Sequence, residues 1–218
     1  MIDYLTSHWS GEHGIGALLW AHTWLSVVPV VVGLVLALPL GWCAAKIRWT
    51  YPPLVGIAGL LYTIPSLVLF VSLPGILGTK ILDVLNVAVA LTTYAVALLV
   101  RVVADALRSV PDQVRQAALA MGYRPLGRLV AVELPMATPV IAAGVRVAVV
   151  SNVSLVAVAT LIGTQQLGTL FDTGLQLLQD GYAPIVIGIV LSMLLALALD
   201  LVVQLTTRAL TPWRRATR

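Results

Sequence analysis

Few side chains in this sequence could do bond-making chemistry, and their spacing forms no catalytic template. His8, His13 and His22 lie five and nine residues apart, which fits no helical metal site. No cysteine or carboxylate completes one, so no metal is expected. The single cysteine, Cys43, lies within an apolar run and reads as a buried, inert thiol; no disulfide can form within the chain. No Gly-x-x-x-x-Gly-Lys-Ser/Thr run occurs, so the chain has no such loop to cradle the phosphates of ATP. An intramembrane enzyme would need a nucleophile with its base, paired carboxylates or metal ligands. The apolar stretches offer only Asp200 near one end and His22 at an edge, so no catalytic residue is expected. Arg146 is a charge inside an apolar run. It reads as a structural intramembrane charge paired with a carbonyl, Glu133 or Asp200, with a direct role in transport as the alternative. Ser151, Asn152 and Ser154 share that run, Thr63 and Ser66 lie in a second, and Thr92, Thr93 and Tyr94 in a third. Such groups either bond across helices or line a water-filled path. Since they come from three segments, Thr63, Ser66, Tyr94, Ser151, Asn152 and Ser154 form a candidate translocation pathway. Tyr62, Phe70 and Tyr94 are the rings that could hold a cationic group by cation–π contact, with an interfacial or packing role as the simpler reading.

The elements that must position these groups cross a membrane. Of the 218 residues, 60% are hydrophobic and only 10% charged, with mean hydropathy +1.00. A soluble domain carries about 25% charged residues, so that class is excluded. Five apolar stretches are long enough to span: 22–45, 54–73, 85–104, 139–162 and 184–206. About 20 residues at about 1.5 Å each cover the hydrocarbon core. The alternating polarity of a β-barrel is absent, so the spans are helical. Pro65 is expected to kink the second. Gly33 and Gly41, and Gly56 and Gly59, could permit close helix approach. Residues 1–16 carry Asp3 and Glu12, no Lys or Arg, and no early apolar run, and do not read as a signal peptide. Residues 1–15 read instead as a short amphipathic or irregular segment.

Basic residues set the orientation. Lys46 and Arg48 follow the first span, Arg101, Arg108, Arg115, Arg124 and Arg128 end or follow the third, and Arg208, Arg214, Arg215 and Arg218 follow the fifth. These are eleven of the thirteen Lys and Arg residues. Lys80 alone lies on the other side. The N-terminus is therefore expected outside and the C-terminus in the cytoplasm. Trp20, Trp24, Trp42, Trp49 and Trp213 fall at span edges, as amphipathic rings do. The external connection 163–182 holds Asp172 and Asp180 but no basic residue. Leu167, Leu170, Phe171, Leu175 and Leu178 predict an amphipathic helix there.

The cytoplasmic loop 105–134 has helical punctuation. Pro111 and Asp112 suit a first turn. Val114, Ala117, Ala118 and Met121 form one apolar face, and Gly122 suits a left-handed C-terminal turn. A second short helix starts near Pro125 with Leu126, Leu129, Val130 and Val132. Pro135 and Pro139 open the fourth span. The loop is thus a helix–turn–helix hairpin offered to the cytoplasm.

This loop resembles the cytoplasmic motif of the inner-membrane subunits of type I ABC importers: Glu-Ala-Ala, three residues, Gly, nine residues, Ile, one residue, Leu-Pro. Here Gln116-Ala117-Ala118, Gly122, Val132, Leu134 and Pro135 keep the spacing, with Gln for Glu and Val for Ile. Tyr62-Thr63-Ile64-Pro65-Ser66-Leu67 looks like the "QTIPSL" segment of osmoprotectant permeases. The run from Val132 to Pro135 with Pro139 to Arg146 resembles their "VELP…PVI.AGIR". Leu161-Ile162-Gly163 with Leu167-Gly168 resembles "LIGAGGLG", departing at Thr164, Gln165 and Gln166. The resemblance implies an all-α type I importer permease fold of about five spans. It divides the chain into an external segment 1–21, a transmembrane domain 22–207 with a coupling loop 105–134, and a tail 208–218. It implies import of a quaternary ammonium osmoprotectant such as glycine betaine, choline or carnitine across the bacterial inner membrane, with methionine as the alternative cargo. Gln116, Ala117, Ala118, Gly122, Leu126, Leu134 and Pro135 would form the ATPase-coupling surface. The partners implied are an ATP-binding-cassette ATPase dimer that binds ATP and magnesium, a second permease chain, an external solute-binding protein and the lipid bilayer, with no nucleic acid. No cofactor is expected in this chain. A secondary transporter would instead show inverted repeats, and no matching halves are visible.

Overall fold

The computed structural model describes residues 2–11, 14–176 and 182–215. Ten α-helices follow one another among them: α1 (Ile2–Ser7), α2 (Ile15–Lys46), α3 (Tyr51–Thr63), α4 (Ser66–Leu77), α5 (Val84–Arg108), α6 (Asp112–Ala120), α7 (Pro125–Arg128), α8 (Leu134–Val158), α9 (Thr169–Gln176) and α10 (Ala183–Leu210). A π-helical turn, Leu129–Glu133, joins α7 to α8. Helices suit this composition because each satisfies its own backbone polar groups without water.

The centre of the bundle is the pairing of α2 with α5. A Cβ on Gly33 would sit 2.6 Å from the Ala95 Cβ, and one on Gly41 2.7 Å from the Val103 Cβ. Both contacts have the same sequence offset, so the two helices run parallel, drawn together where side chains are missing. Gly144 brings α8 against Val102 in the same way. By contrast, nothing lies within 4 Å of a Cβ built on Gly56 or Gly59. Those two glycines are not sites of close approach in this chain, because their faces of α3 meet no neighbour. Val30, Ala37, Leu99, Val103, Leu107, Ile141 and Val149 form the main apolar core around α2, α5 and α8.

Parallel α2 and α5 require the chain between them to return across the membrane, and α3 and α4 make that return. It is not a continuous helix. The two halves meet at Ile64–Pro65 with a bend of 103°. Pro65 lacks an N–H, and the residue before a proline is held in extended geometry, here φ −64° and ψ 129° at Ile64. The expected kink is therefore a full break. With this broken pair counted as one, the described residues form five spans, and the basic residues that follow α2, α5 and α10 make these three run inward.

The first spanning helix, α2, begins at Ile15, before the apolar stretch proposed from sequence. Its extra turns are held outside the membrane by a small external core, in which Ile15 and Leu18 meet Leu167, Leu170 and Ile187. Helix α9 is the amphipathic external helix. Leu170 is buried, but Leu175 is 66% exposed, since α9 turns only one face to the bundle. Leu178 lies outside the described residues. His22 is fully buried. Its Nδ1 is 3.0 Å from Gln166 Oε1 and its Nε2 3.0 Å from the Val153 carbonyl, so it ties α2, α8 and the external loop together.

Candidate functional site: a cytoplasmic hairpin and a cavity at the broken helix

The cytoplasmic hairpin forms where its local residues dictate. Pro111 precedes α6, and Asp112 lies in its first turn, where a carboxylate meets the positive end of the helix dipole. Arg115 Nη2 reaches Asp112 Oδ1 at 2.7 Å. The helix ends at Ala120 with Met121 as its cap, and Gly122 takes φ +82°, a conformation that costs a residue with Cβ about 1 kcal/mol or more. The amide of Gly122 donates to the Leu119 carbonyl at 2.9 Å and that of Tyr123 to the Ala118 carbonyl at 3.1 Å. This closes the turn and launches α7 from Pro125.

The hairpin has an inner and an outer side. Val110, Val114, Leu129 and Leu134 join the main core, and Ala118 is fully buried. Arg128 Nε is 2.6 Å from Glu133 Oε1, with both side chains largely buried. This pair clamps α7 to the π turn that leads into α8. A pocket of about 40 Å³, lined by Trp42, Lys46, Leu107, Arg115, Arg128 and Glu133, lies between the hairpin and the inner ends of α2 and α5. Outward, the hairpin presents Leu119, Met121, Tyr123, Leu126 and Val130, all exposed. The predicted apolar face of α6 is therefore split. Val114 and Ala118 turn inward, whereas Ala117 is exposed, and so is Met121, which lies past the last helical residue. Gln116 is exposed, and Leu134 and Pro135 are half-buried at the start of α8.

A second feature lies at membrane depth. A cavity of about 330 Å³ opens at the α3–α4 break, lined by Tyr62, Ile64, Ser66, Tyr94, Ser151 and Ser154. Non-helical backbone inside a membrane is tolerated where it is buried in protein or lines a cavity. The Tyr94 hydroxyl donates to the Ile64 carbonyl, a group released by the break. The Tyr62 and Tyr94 rings meet edge to face, with centroids 5.9 Å apart. Of the six proposed pathway residues, Ser66, Tyr94, Ser151 and Ser154 converge here. Thr63 and Asn152 do not. The Thr63 hydroxyl turns back to the Leu60 carbonyl at 2.7 Å, and buried Asn152 faces the Ser26 carbonyl at 3.4 Å. Tyr62 belongs with the converging group. The signal for it was its place two residues before Ile64, on the last turn of α3. Phe70 is fully buried in a separate apolar cluster.

Arg146 makes a two-pronged contact with Asp200, Nε to Oδ1 at 2.6 Å and Nη2 to Oδ2 at 2.9 Å, joining α8 to α10. Gln204 donates to the same carboxylate at 2.7 Å. At the inner membrane edge the Tyr51 hydroxyl donates to Asp105 at 2.5 Å, and Arg108 lies 4.1 Å from the Tyr51 ring centroid. These contacts fasten the start of α3 to the end of α5.

Comparison with known proteins places the chain beside a family, three relatives and a solved structure. A family profile described as "Binding-protein-dependent transport system inner membrane component" matches residues 30–212. The osmoprotectant import permease protein OsmW of Salmonella typhimurium is 34% identical over 91% of this chain and 92% of its own length. The choline transport system permease protein OpuBB of Bacillus subtilis is 30% identical over 88% and 86%. The glycine betaine/carnitine/choline transport system permease protein OpuCB of the same organism is 28% identical over 88% and 86%. Among solved structures, an inward-facing form of the MetNI methionine ABC transporter superimposes with a TM-score of 0.77, covering 90% of this chain and 96% of that one, at 24% identity. That likeness concerns the fold.

Proposed function

We propose, for a chain that belongs to the binding-protein-dependent transport family as a membrane-spanning permease of an ABC importer, that its cargo is a quaternary ammonium osmoprotectant such as glycine betaine, choline or carnitine. It is a multi-pass protein of the bacterial plasma membrane, and it works with an ATPase and a substrate-binding partner. The cargo assignment rests on the roles of relatives that match nearly its whole length. Methionine is the second reading, favoured only by the fold it shares with the MetNI transporter.

The geometry that carries the coupling half of the proposal is the hairpin. Its inner side is continuous with the core of α2, α5 and α8, and its outer side exposes Leu119, Met121, Tyr123, Leu126 and Val130. A short helix pair with an apolar crown on a rigid base fits a cleft in a soluble partner. In this reading an ATPase dimer binds ATP and magnesium, and its closure moves the crown. The Arg128–Glu133 clamp passes that motion through the π turn to α8, and the spans alternate between outward and inward access. A second permease chain, identical or related, completes the path, and an external binding protein delivers cargo on the side of α9.

Uptake in a bacterial host stripped of its own osmoprotectant importers tests the cargo. With the cognate ATPase and binding protein co-expressed, labelled choline, glycine betaine or carnitine should accumulate and unlabelled methionine should not compete. Accumulation of methionine with no uptake of all three osmolytes would overturn the assignment.

A further inference from the structure

The cavity at the broken second span has a composition that selects a class of ligand. About 330 Å³ is at the low end of the range for small-molecule sites. Its lining includes two tyrosine rings, three serine hydroxyls and the Ile64 backbone, and no ionisable group of either charge apart from the phenols. The phenol of Tyr94 is already committed to the Ile64 carbonyl. An edge-to-face pair occupies only one face of one ring, and Tyr62 is 42% exposed, so its ring offers a face to the void beside the largely buried Tyr94. Ser66 opens α4 from one side, while Ser151 and Ser154 come from α8 on the other. Tyr94 lies ten residues, or about 15 Å, inward from the external end of α5, which puts the void near the middle of the bilayer.

Such a site discriminates by hydration. A primary ammonium entering it gives up strong hydrogen bonds to water and finds no carboxylate to replace them. A quaternary ammonium has no N–H to satisfy and is weakly hydrated, and ring faces attract it through their quadrupole. The serine hydroxyls suit a second polar group, the hydroxyl of an amino alcohol or the carboxylate of a betaine. We infer that this cavity is a transit site at which the permease itself recognises quaternary ammonium cargo, with Tyr62 and Tyr94 facing the methylated nitrogen and Ser66, Ser151 and Ser154 its polar tail. This deepens the proposed function and rests on it: the chain does not leave all selection to the external binding protein.

The test is equilibrium binding of tritiated choline to the assembled permease–ATPase complex in lipid nanodiscs, without the binding protein. Unlabelled tetramethylammonium should displace the label. Ethanolamine, which keeps the hydroxyl and lacks the methyl groups, should be at least about 10-fold weaker. Tyr62→Leu should weaken choline binding about 10-fold, Tyr62→Phe should stay within about threefold, and Ser151→Leu, which fills the void from α8, should weaken it by a similar factor to the first. The inference is overturned if the wild-type complex holds no choline, if ethanolamine competes equally with tetramethylammonium, or if both leucine variants bind as wild type. Choline uptake by the complete assembly is measured alongside. Uptake without binding at this site sinks the inference alone, whereas absence of quaternary ammonium uptake sinks the proposed cargo.

Discussion

Single residues in this chain act through what they hold in place. Arg146 and Asp200 are the clearest case, a charge pair joining two spans with both prongs satisfied. Removing one partner strands the other in apolar surroundings, whereas removing both leaves neither unpaired. Arg146→Met should therefore lower the melting temperature of the complex in nanodiscs more than the double variant Arg146→Met/Asp200→Asn does, and a larger loss in the double variant would contradict the pairing argument. At Gly122 the backbone dictates the residue's identity. At φ +82° a β-branched replacement costs about 1–3 kcal/mol, and the strain falls on the hairpin turn. Gly122→Val should cut uptake several-fold per ATP hydrolysed while membrane insertion is unchanged; tight coupling in that variant would argue against the turn. The glycine at this position was legible in sequence, since only a helix end followed by a proline-led helix explains the run from Met121 to Pro125. The partners of His22 were not. Its ring reaches Gln166 across 144 positions, and no local periodicity carries that information.

At the level of helices, glycine position separates packed faces from open ones. Gly33 and Gly41 carry the α2–α5 contact, whereas a Cβ on Gly56 or Gly59 would meet nothing within 4 Å. Gly33→Leu or Gly41→Leu should destabilise the fold by about 1–3 kcal/mol, read as reduced recovery of monodisperse protein, while Gly56→Ala and Gly59→Ala should match wild type. Sequence alone weighted all four alike, because a helical repeat says which residues share a face but not which face finds a partner. The same limit explains α6, where Val114 and Ala118 turn inward and Met121 outward, although all fell within one apolar pattern. For the second span, Pro65 announced a disturbance. The size of the bend, 103°, depends on how Phe70 and Leu73 of α4 pack against Leu25 and Val87, contacts set by tertiary structure. The cavity follows from that bend, which is why four of its polar residues were legible and their meeting point was not.

For the whole molecule, sidedness and coupling are the linked claims. Parallel α2 and α5, the crossing pair α3–α4 between them, and basic residues at the inner ends put the hairpin and the C-terminus in the cytoplasm. In a Cys43→Ala background, Leu82→Cys should react with a membrane-impermeant maleimide from outside, and Leu126→Cys only after permeabilisation; the reverse pattern would invert the topology. Charge sidedness was readable in sequence because insertion itself responds to it. The central claim is that this chain converts ATPase closure into movement of a quaternary ammonium across the bilayer through the hairpin crown. Its most direct measurement is uptake of labelled choline into proteoliposomes holding the permease–ATPase complex, with binding protein on the side of α9 and ATP on the side of the hairpin. The account predicts ATP-dependent accumulation by the wild type and a loss of about 10-fold or more for Leu126→Asp, which puts a charge into the docking surface. Accumulation that needs no ATP, or that is undiminished in Leu126→Asp, would contradict it.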